Sequence, residues 1–538
     1  MIRFLSVFFL CLCVACNQHQ QKRTVPSQVA RISMNTEPSS LDPRKARDSD
    51  GMILLRMLFD GLMRTGADGT VEWAVAQGVD ISEEGLRYQF HLRPTLWSDG
   101  TALTSADFAT SWKTLLDPQF PTDIAYHLFI IKNGRKAKMG EVPLDTVGIQ
   151  TPDPETLVVE LEKPIPYFLE LLTMPPFFPV PVAAIQTDPQ WAAEATHFIS
   201  NGPFIVQSWR HADQISLVKN PNYWRSPEVR LDQVELIIAS ADTALRMFLE
   251  GKIDWVGSPL GTLPIDAVKS LKEQGQLCAS PFLATYFLRV NTEPKIGEKK
   301  NPLAHLSLRR ALALAVDRNA IAEHLLQGGQ TAAQGLVPPI MGLSPVGQFP
   351  QQNVQAACRS LQEAKEEMGG VLDPIVISYY NNERNAAIVQ ALQKQWEAAL
   401  GIAVELEAVE PKVYFLKVSN KDFQLATGSW TADFNDPVNF LEVFKYKDNG
   451  TNNTGWENPQ YIDLLERSQL CRDVEERNQL LREAESILMD QMPLIPIYYF
   501  ALNYLKRDEL EGISLSPLGH LDLRWAHWEL DQPSLPKR

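Results

Sequence analysis

The tightest constraint on the fold is an alternation of two hydrophobic periods along the C-terminal half of the chain. Ile375 to Tyr380 reads as a strand. Ile388, Leu392, Trp396 and Leu400 then recur four apart, a helical stripe that ends at Gly401, and Ile402 to Leu406 returns to a strand. Leu480, Ala484, Ile487 and Leu488 mark a further long helix before a strand from Leu494 to Phe500. A chain that keeps switching between these periods buries both kinds of apolar face only as sheets carrying helices, which predicts a mixed α/β (α+β) architecture.

The chain before residue 330 carries the same mixture. Strands are predicted at Gln28 to Met34, Tyr88 to Leu92, Ile215 to Lys219 and Tyr286 to Asn291. Helices are predicted from Met52 to Leu62, from Thr104-Ser105-Ala106-Asp107 into Phe108, Trp112 and Leu115, and from an N-cap at Ser307 on to Leu325. Pro164 to Pro181, rich in proline and apolar residues, reads as a packed irregular crossing, and no internal repeat is present. A length of 538 residues exceeds one core and implies two or three domains. The formal net charge of −15 argues against nucleic acid or an anionic membrane surface as the main partner.

Met1-Ile2-Arg3 followed by the apolar run Phe4 to Ala15 reads as an export signal, because the run is far short of the ~20 apolar residues that span a membrane. The run ends Leu12-Cys13-Val14-Ala15-Cys16 and turns polar at Asn17. Two outcomes stay open: cleavage before Cys16 with lipid on its thiol, or ordinary secretion. Residues 17–29 are then a solvated tether. Cys278, Cys358 and Cys471 show no metal-ligand spacing and are expected as three buried thiols, with zinc and other cofactors not expected.

One segment carries chemistry. Ser429-Trp430-Thr431-Ala432-Asp433-Phe434-Asn435-Asp436-Pro437 sets Asp433 between two aromatics, in a stretch whose Gly428, Asn435 and Pro437 predict loop and not helix. A carboxylate beside ring faces is partly desolvated and needs a cation or donors to remain charged, which a ligand's amino group supplies if the protein does not. A surface Asx-turn over core aromatics is the other reading of the same residues.

The segment resembles the W-x-A-D-[YF]-N-x-P loop of periplasmic oligopeptide-binding proteins, the extracytoplasmic receptors of ABC peptide importers. Leu41-Asp42-Pro43, Trp97-Ser98-Asp99-Gly100-Thr101, Asn201-Gly202-Pro203-Phe204, Asn220-Pro221-x-Tyr223-Trp224 and Arg309-x-Ala311-Leu312 extend the likeness, in family order, over most of residues 30–530. The resemblance implies a two-lobed periplasmic-binding-protein fold with an extra inserted domain and a ligand cleft between the lobes. One lobe joins residues 30–59, 182–283 and 502–538 to the inserted domain at 60–181; the other is 284–501. It further implies that Asp433 pairs with a peptide's α-amino group, that Ser429, Trp430 and Thr431 with Phe434 bound the ligand, and that Arg47-Asp48-Ser49 is a second ligand-pairing segment. The backbone of an extended peptide is then gripped by strand addition. The implied setting is the periplasm or cell envelope, with lipid anchoring at Cys16, permease subunits as partners and a monomeric receptor.

The chain departs from the family pattern in several places. The paired cysteines of well-studied members are replaced by Ala284 and Thr431, and two cleft acids by Arg47 and Arg289. A pocket tryptophan falls at Pro411, and a tyrosine near the peptide amine falls at Ile124, with Tyr126 close by. The bases that meet the peptide C-terminus align with Thr427, Leu326 and Asn385; Arg384 adjoins the last. Arginine forks suit carboxylates, so Arg47, Arg289 and Arg384 point to a ligand with acidic groups such as a murein-derived peptide, against the alternative of structural or solvated arginines. Other solutes on the same fold, or a sensory role, remain open. Catalysis is disfavoured because no HExxH, GxSxG, GxGxxG or P-loop pattern occurs, and the acid pairs lie in polar runs.

Overall fold

A computed structural model describes residues 28–66, 68–188, 190–343 and 352–529. The export signal, Cys16 and the tether through residue 27 lie outside them, as do residues 530–538.

The spine is one mixed sheet of 11 strands. Its order runs Val404–Val409, Ile375–Tyr380, Leu425–Thr431, Cys278–Val290, Leu494–Lys506, Trp255–Gly257, Val29–Met34, Gln233–Ile238, Gln214–Lys219 and Phe204–Arg210, with Thr331–Ala332 added beside Leu494–Lys506. Each half contains a parallel pair, Val29–Met34 with Gln233–Ile238 and Ile375–Tyr380 with Val404–Val409. A parallel pair needs a crossover, and helix Glu383–Leu400 supplies one with Ile388, Leu392 and Trp396 buried against the sheet. A separate antiparallel sheet, Ala76–Ile81, Arg87–Leu92, Thr156–Glu160 and Ile149–Asp153, stands apart from the spine.

Two long antiparallel strands, Cys278–Val290 and Leu494–Lys506, hold the spine together at its centre. Their register is irregular between Pro281 and Thr285 and again between Tyr286 and Phe287. Beside this break the segment Gln334–Val337 is tied to both strands. Thr285 Oγ1 donates to the Leu336 carbonyl at 2.7 Å, and Tyr499 Oη accepts from the Gly335 N–H at 3.0 Å. Glu485 accepts from the Val337 N–H at 2.8 Å, and burial lifts its pKa to about 7.

Several motifs that run through the sequence turn out to be scaffold. Asp60 Oδ2 accepts from Tyr223 Oη and Trp224 Nε1, each at 2.9 Å, while the Asn201 amide closes on the Asp60 main chain from both sides. Gly202 is required because a Cβ there would run into the Leu58 carbonyl group. Asp42 grips Arg44 through two bonds of 2.8 and 2.9 Å in a buried pair.

Some expectations need correction. The helix predicted from an N-cap at Ser307 begins at Leu306, stops at Ala315, and a π-helical turn Ala320–Leu326 follows. The helix predicted over 52–62 is Ser49–Leu58, started by an Asp48 cap. The three thiols are not buried: Cys358 is exposed, and Cys278 and Cys471 are partly accessible.

Candidate ligand-binding site

Ser429, Trp430 and Thr431 are strand and not loop, contrary to the expectation from Gly428 and Pro437. Pairing overrides local propensity here: Ala284, Thr285 and Tyr286 lie directly opposite Thr431, Trp430 and Ser429. The strand stops at Ala432, whose N–H donates to the Leu283 carbonyl at 2.8 Å. Its other edge pairs with Ile375–Tyr380 only at Leu425 and Ala426. Beyond Thr427 that edge has no strand partner among the described residues, and an open edge presents unsatisfied N–H and C=O groups.

Asp433 lies just past this edge. Asn439 Oδ1 accepts from Trp430 Nε1 at 2.9 Å and from the Asp433 N–H at 3.3 Å, so one buried amide fixes the indole and the aspartate backbone together. Asp436 is clamped by Arg477 through two bonds of 2.8 and 2.9 Å, anchoring the loop to helix Val474–Gln491. The Asp433 side chain itself is open to solvent, yet protein crowds it on most sides. That desolvation raises its pKa above the ordinary carboxylate value, opposed by a hydrogen bond from Asn439. No basic group lies within 4 Å of it among the described residues. Tyr126 faces it closely enough that burial and the Asp433 charge both raise the tyrosine's pKa. Phe434 stacks on Tyr167 with ring centres 4.8 Å apart and planes 9° from parallel, and Asn435 Nδ2 donates to the Gly69 carbonyl at 3.4 Å.

The remaining candidates separate. Arg47 forms an exposed ion pair with Asp123 at 2.9 Å. Asp48 caps helix Ser49–Leu58 by accepting from the Gly51 N–H at 2.7 Å, and Ser49 is the first helical residue. Arg289 crosses Gly428, donates from Nη1 to the Thr427 carbonyl at 3.2 Å, and has no acidic partner among the described residues; burial holds its pKa below the usual arginine value. Arg384 stands exposed at the second position of helix Glu383–Leu400. Sequence reasoning missed Asn439, the covering role of Gly428, and Tyr167, which lay without an assigned role within the Pro164 to Pro181 crossing. Among the described residues no three His, Cys, Asp or Glu side chains form a metal-binding group.

The profile of the bacterial extracellular solute-binding proteins, family 5, matches residues 70–452. The chain belongs to that family. It is 36% identical over 523 residues to the oligopeptide-binding protein OppA of Bacillus subtilis, covering 95% of each chain. It is 33% identical to the probable deoxycholate-binding periplasmic protein YgiS of Escherichia coli, covering 91% of each. Among solved structures, the unliganded open form of the murein tripeptide-binding protein MppA superposes with a TM-score of 0.81 at 28% identity, covering 94% of this chain and 98% of that one. As a family 5 solute-binding protein the chain has the two-lobed fold, and its relatives are solute-binding proteins and not enzymes. No helix among the described residues is long and apolar enough to cross a membrane.

Proposed function

We propose that this family 5 protein captures short peptides outside the cytoplasmic membrane for an ABC importer. The observation that carries the reading is Asp433: an accessible, crowded carboxylate with no basic group within 4 Å among the described residues, set at the end of an open strand edge. A peptide lying along Gly428 to Thr431 supplies the missing strand, and its ammonium group supplies the missing charge. The main chain of Arg47 offers a second pairing segment, since it makes no hydrogen bond among the described residues. Two lobes, 30–59 with 182–283 and 502–538, and 284–501, close on the ligand with the inserted domain 60–181 contributing Tyr126 and Tyr167. Cys16 carries the lipid that keeps the receptor at the membrane. The names of the OppA and MppA relatives agree with a peptide cargo.

Native mass spectrometry of gently purified mature protein tests this. A co-purifying peptide of definite length that is absent from Asp433→Ala supports it; protein that neither retains nor rebinds peptide removes it. A second reading, another solute in the same cleft, draws on the YgiS relative, and would show as a co-purifying non-peptide whose retention ignores Asp433→Ala.

A further inference from the structure

Away from the Asp433 loop, one stretch of the central sheet has two unlike faces. The end of strand Leu494–Lys506 runs beside Trp255–Gly257, with Trp255 opposite Lys506, Val256 opposite Leu505 and Gly257 opposite Tyr504. Side chains alternate along a strand, so Val256 and Leu505 share one face, and Trp255, Tyr504 and Lys506 share the other. The first face is dry, because Val256 and Leu505 are buried in a small apolar core with Phe248, Leu263 and Val268. The second face is covered by residues 510–515, whose place is fixed by the pairing of Leu510 with Trp528 and of Glu511 with His527. Between this cover and the strand lies a groove of about 370 Å³. That is within the ~300–1,000 Å³ over which small-molecule sites range.

The groove offers a ring platform flanked by two charges. The Tyr504 ring lies flat on the buried Trp255, with ring centres 4.2 Å apart and planes 8° from parallel. Trp255 Nε1 is already spent on the Ser258 carbonyl at 2.9 Å, so the hydroxyls of Tyr504 and Ser280, 3.4 Å apart, are the polar groups beside the rings. Lys506 lines the groove from the strand and Glu511 from the cover. Neither side chain has an ion pair or a hydrogen bond among the described residues. None of the lining residues belongs to the Asp433 loop or to its open strand edge.

We infer that this groove is a second ligand site, and that it takes a free aromatic amino acid in its zwitterionic form. The ring of the ligand stacks on Tyr504, its α-carboxylate meets Lys506, and its α-ammonium group meets Glu511. A ligand with only one charge would leave the opposite protein charge unanswered, and a purely apolar one would leave both. The inference stands apart from the reading of Asp433, since the two sites share no residue.

The test is calorimetric titration of the full mature chain with L-tryptophan, with tryptamine, which lacks the carboxylate, and with indole-3-propionate, which lacks the ammonium group. L-Tryptophan is expected to bind about tenfold more tightly than either. Lys506→Met should erase its advantage over tryptamine, and Glu511→Gln its advantage over indole-3-propionate. Lys506 is half-buried and Glu511 exposed, so both substitutions leave the core untouched. Asp433→Ala should leave the binding of L-tryptophan unchanged. No binding of L-tryptophan at millimolar concentration, or binding that ignores both charge substitutions, overturns the inference and leaves the peptide reading intact. Binding that disappears in Asp433→Ala puts the amino acid in the peptide site and overturns it as well.

Discussion

At the scale of single residues, Asp433 joins accessibility to a raised pKa. The neutral carboxyl cannot pair with an ammonium group, so peptide affinity should drop as pH falls through that raised value, at a higher pH than an ordinary aspartate would give. Titration calorimetry between pH 4 and 8 reads this directly, and a flat profile would contradict it. Asp433→Ala removes one partner of the pair and should cost about 3–5 kcal/mol of binding. Glu485 makes a different prediction. Its carboxyl titrates near 4.5 when unfolded and at about 7 when folded, so between these values the folded state holds a proton that the unfolded state has lost. Stability from this group is therefore greatest below 4.5, declines as pH rises to about 7, and is level above, a change of up to about 3 kcal/mol. Urea unfolding of Glu485→Gln, which keeps an acceptor for Val337, should show a flatter dependence over that range. Asp433 was legible in the sequence because a carboxylate between aromatics within a recognised loop is a local pattern. The Arg289–Gly428 crossing and the burial of Glu485 were not, since they arise from segments distant along the chain or from how a helix is covered; Asn439, though only six residues from Asp433, was not because nothing local shows that the chain turns its amide back on Trp430.

At the scale of elements, local chemistry and pairing disagreed, and pairing prevailed. Gly428, Asn435 and Pro437 led to a loop over residues that are strand as far as Thr431, because the partner strand 278–290 lay outside any local window. The two long strands were likewise legible only in part, their alternation being interrupted by Pro281 and Pro496 where the register shifts. The matched replacement of two cysteines by Ala284 and Thr431 was legible, and the two positions face each other across the ladder. Opposed residues on antiparallel strands stand about 4.5–5.5 Å apart at Cα, within reach of a disulfide. Ala284→Cys with Thr431→Cys should therefore oxidise spontaneously and stabilise the fold by about 2–4 kcal/mol. A gel-mobility shift reversed by reductant, with a matching rise in melting temperature, checks this; two titratable thiols after oxidation would count against it.

At the scale of the whole molecule, the alternation of periods announced sheets with helices, but not that 11 strands would join in one sheet, which depends on long-range strand order. The stack of Phe434 on Tyr167 joins the Asp433 loop to the start of the short helix Phe168–Leu171, far away in the chain. Such a pair is worth about 0.5–1.5 kcal/mol beyond its buried area. Tyr167→Ala should therefore widen the ligand-free molecule, seen as a larger radius of gyration in small-angle X-ray scattering; unchanged scattering would mean that the long strands alone set the lobe angle. Those strands have a mechanical consequence. Sliding one past the other would break the main-chain bonds between them, so the paired ribbon resists shear and yields mainly where its register is already uneven, beside Pro281 to Phe287. Any hinge through this ribbon would therefore have nearly one coordinate. On the function proposed above, cargoes of different length or sequence would then present the outside with one and the same bend.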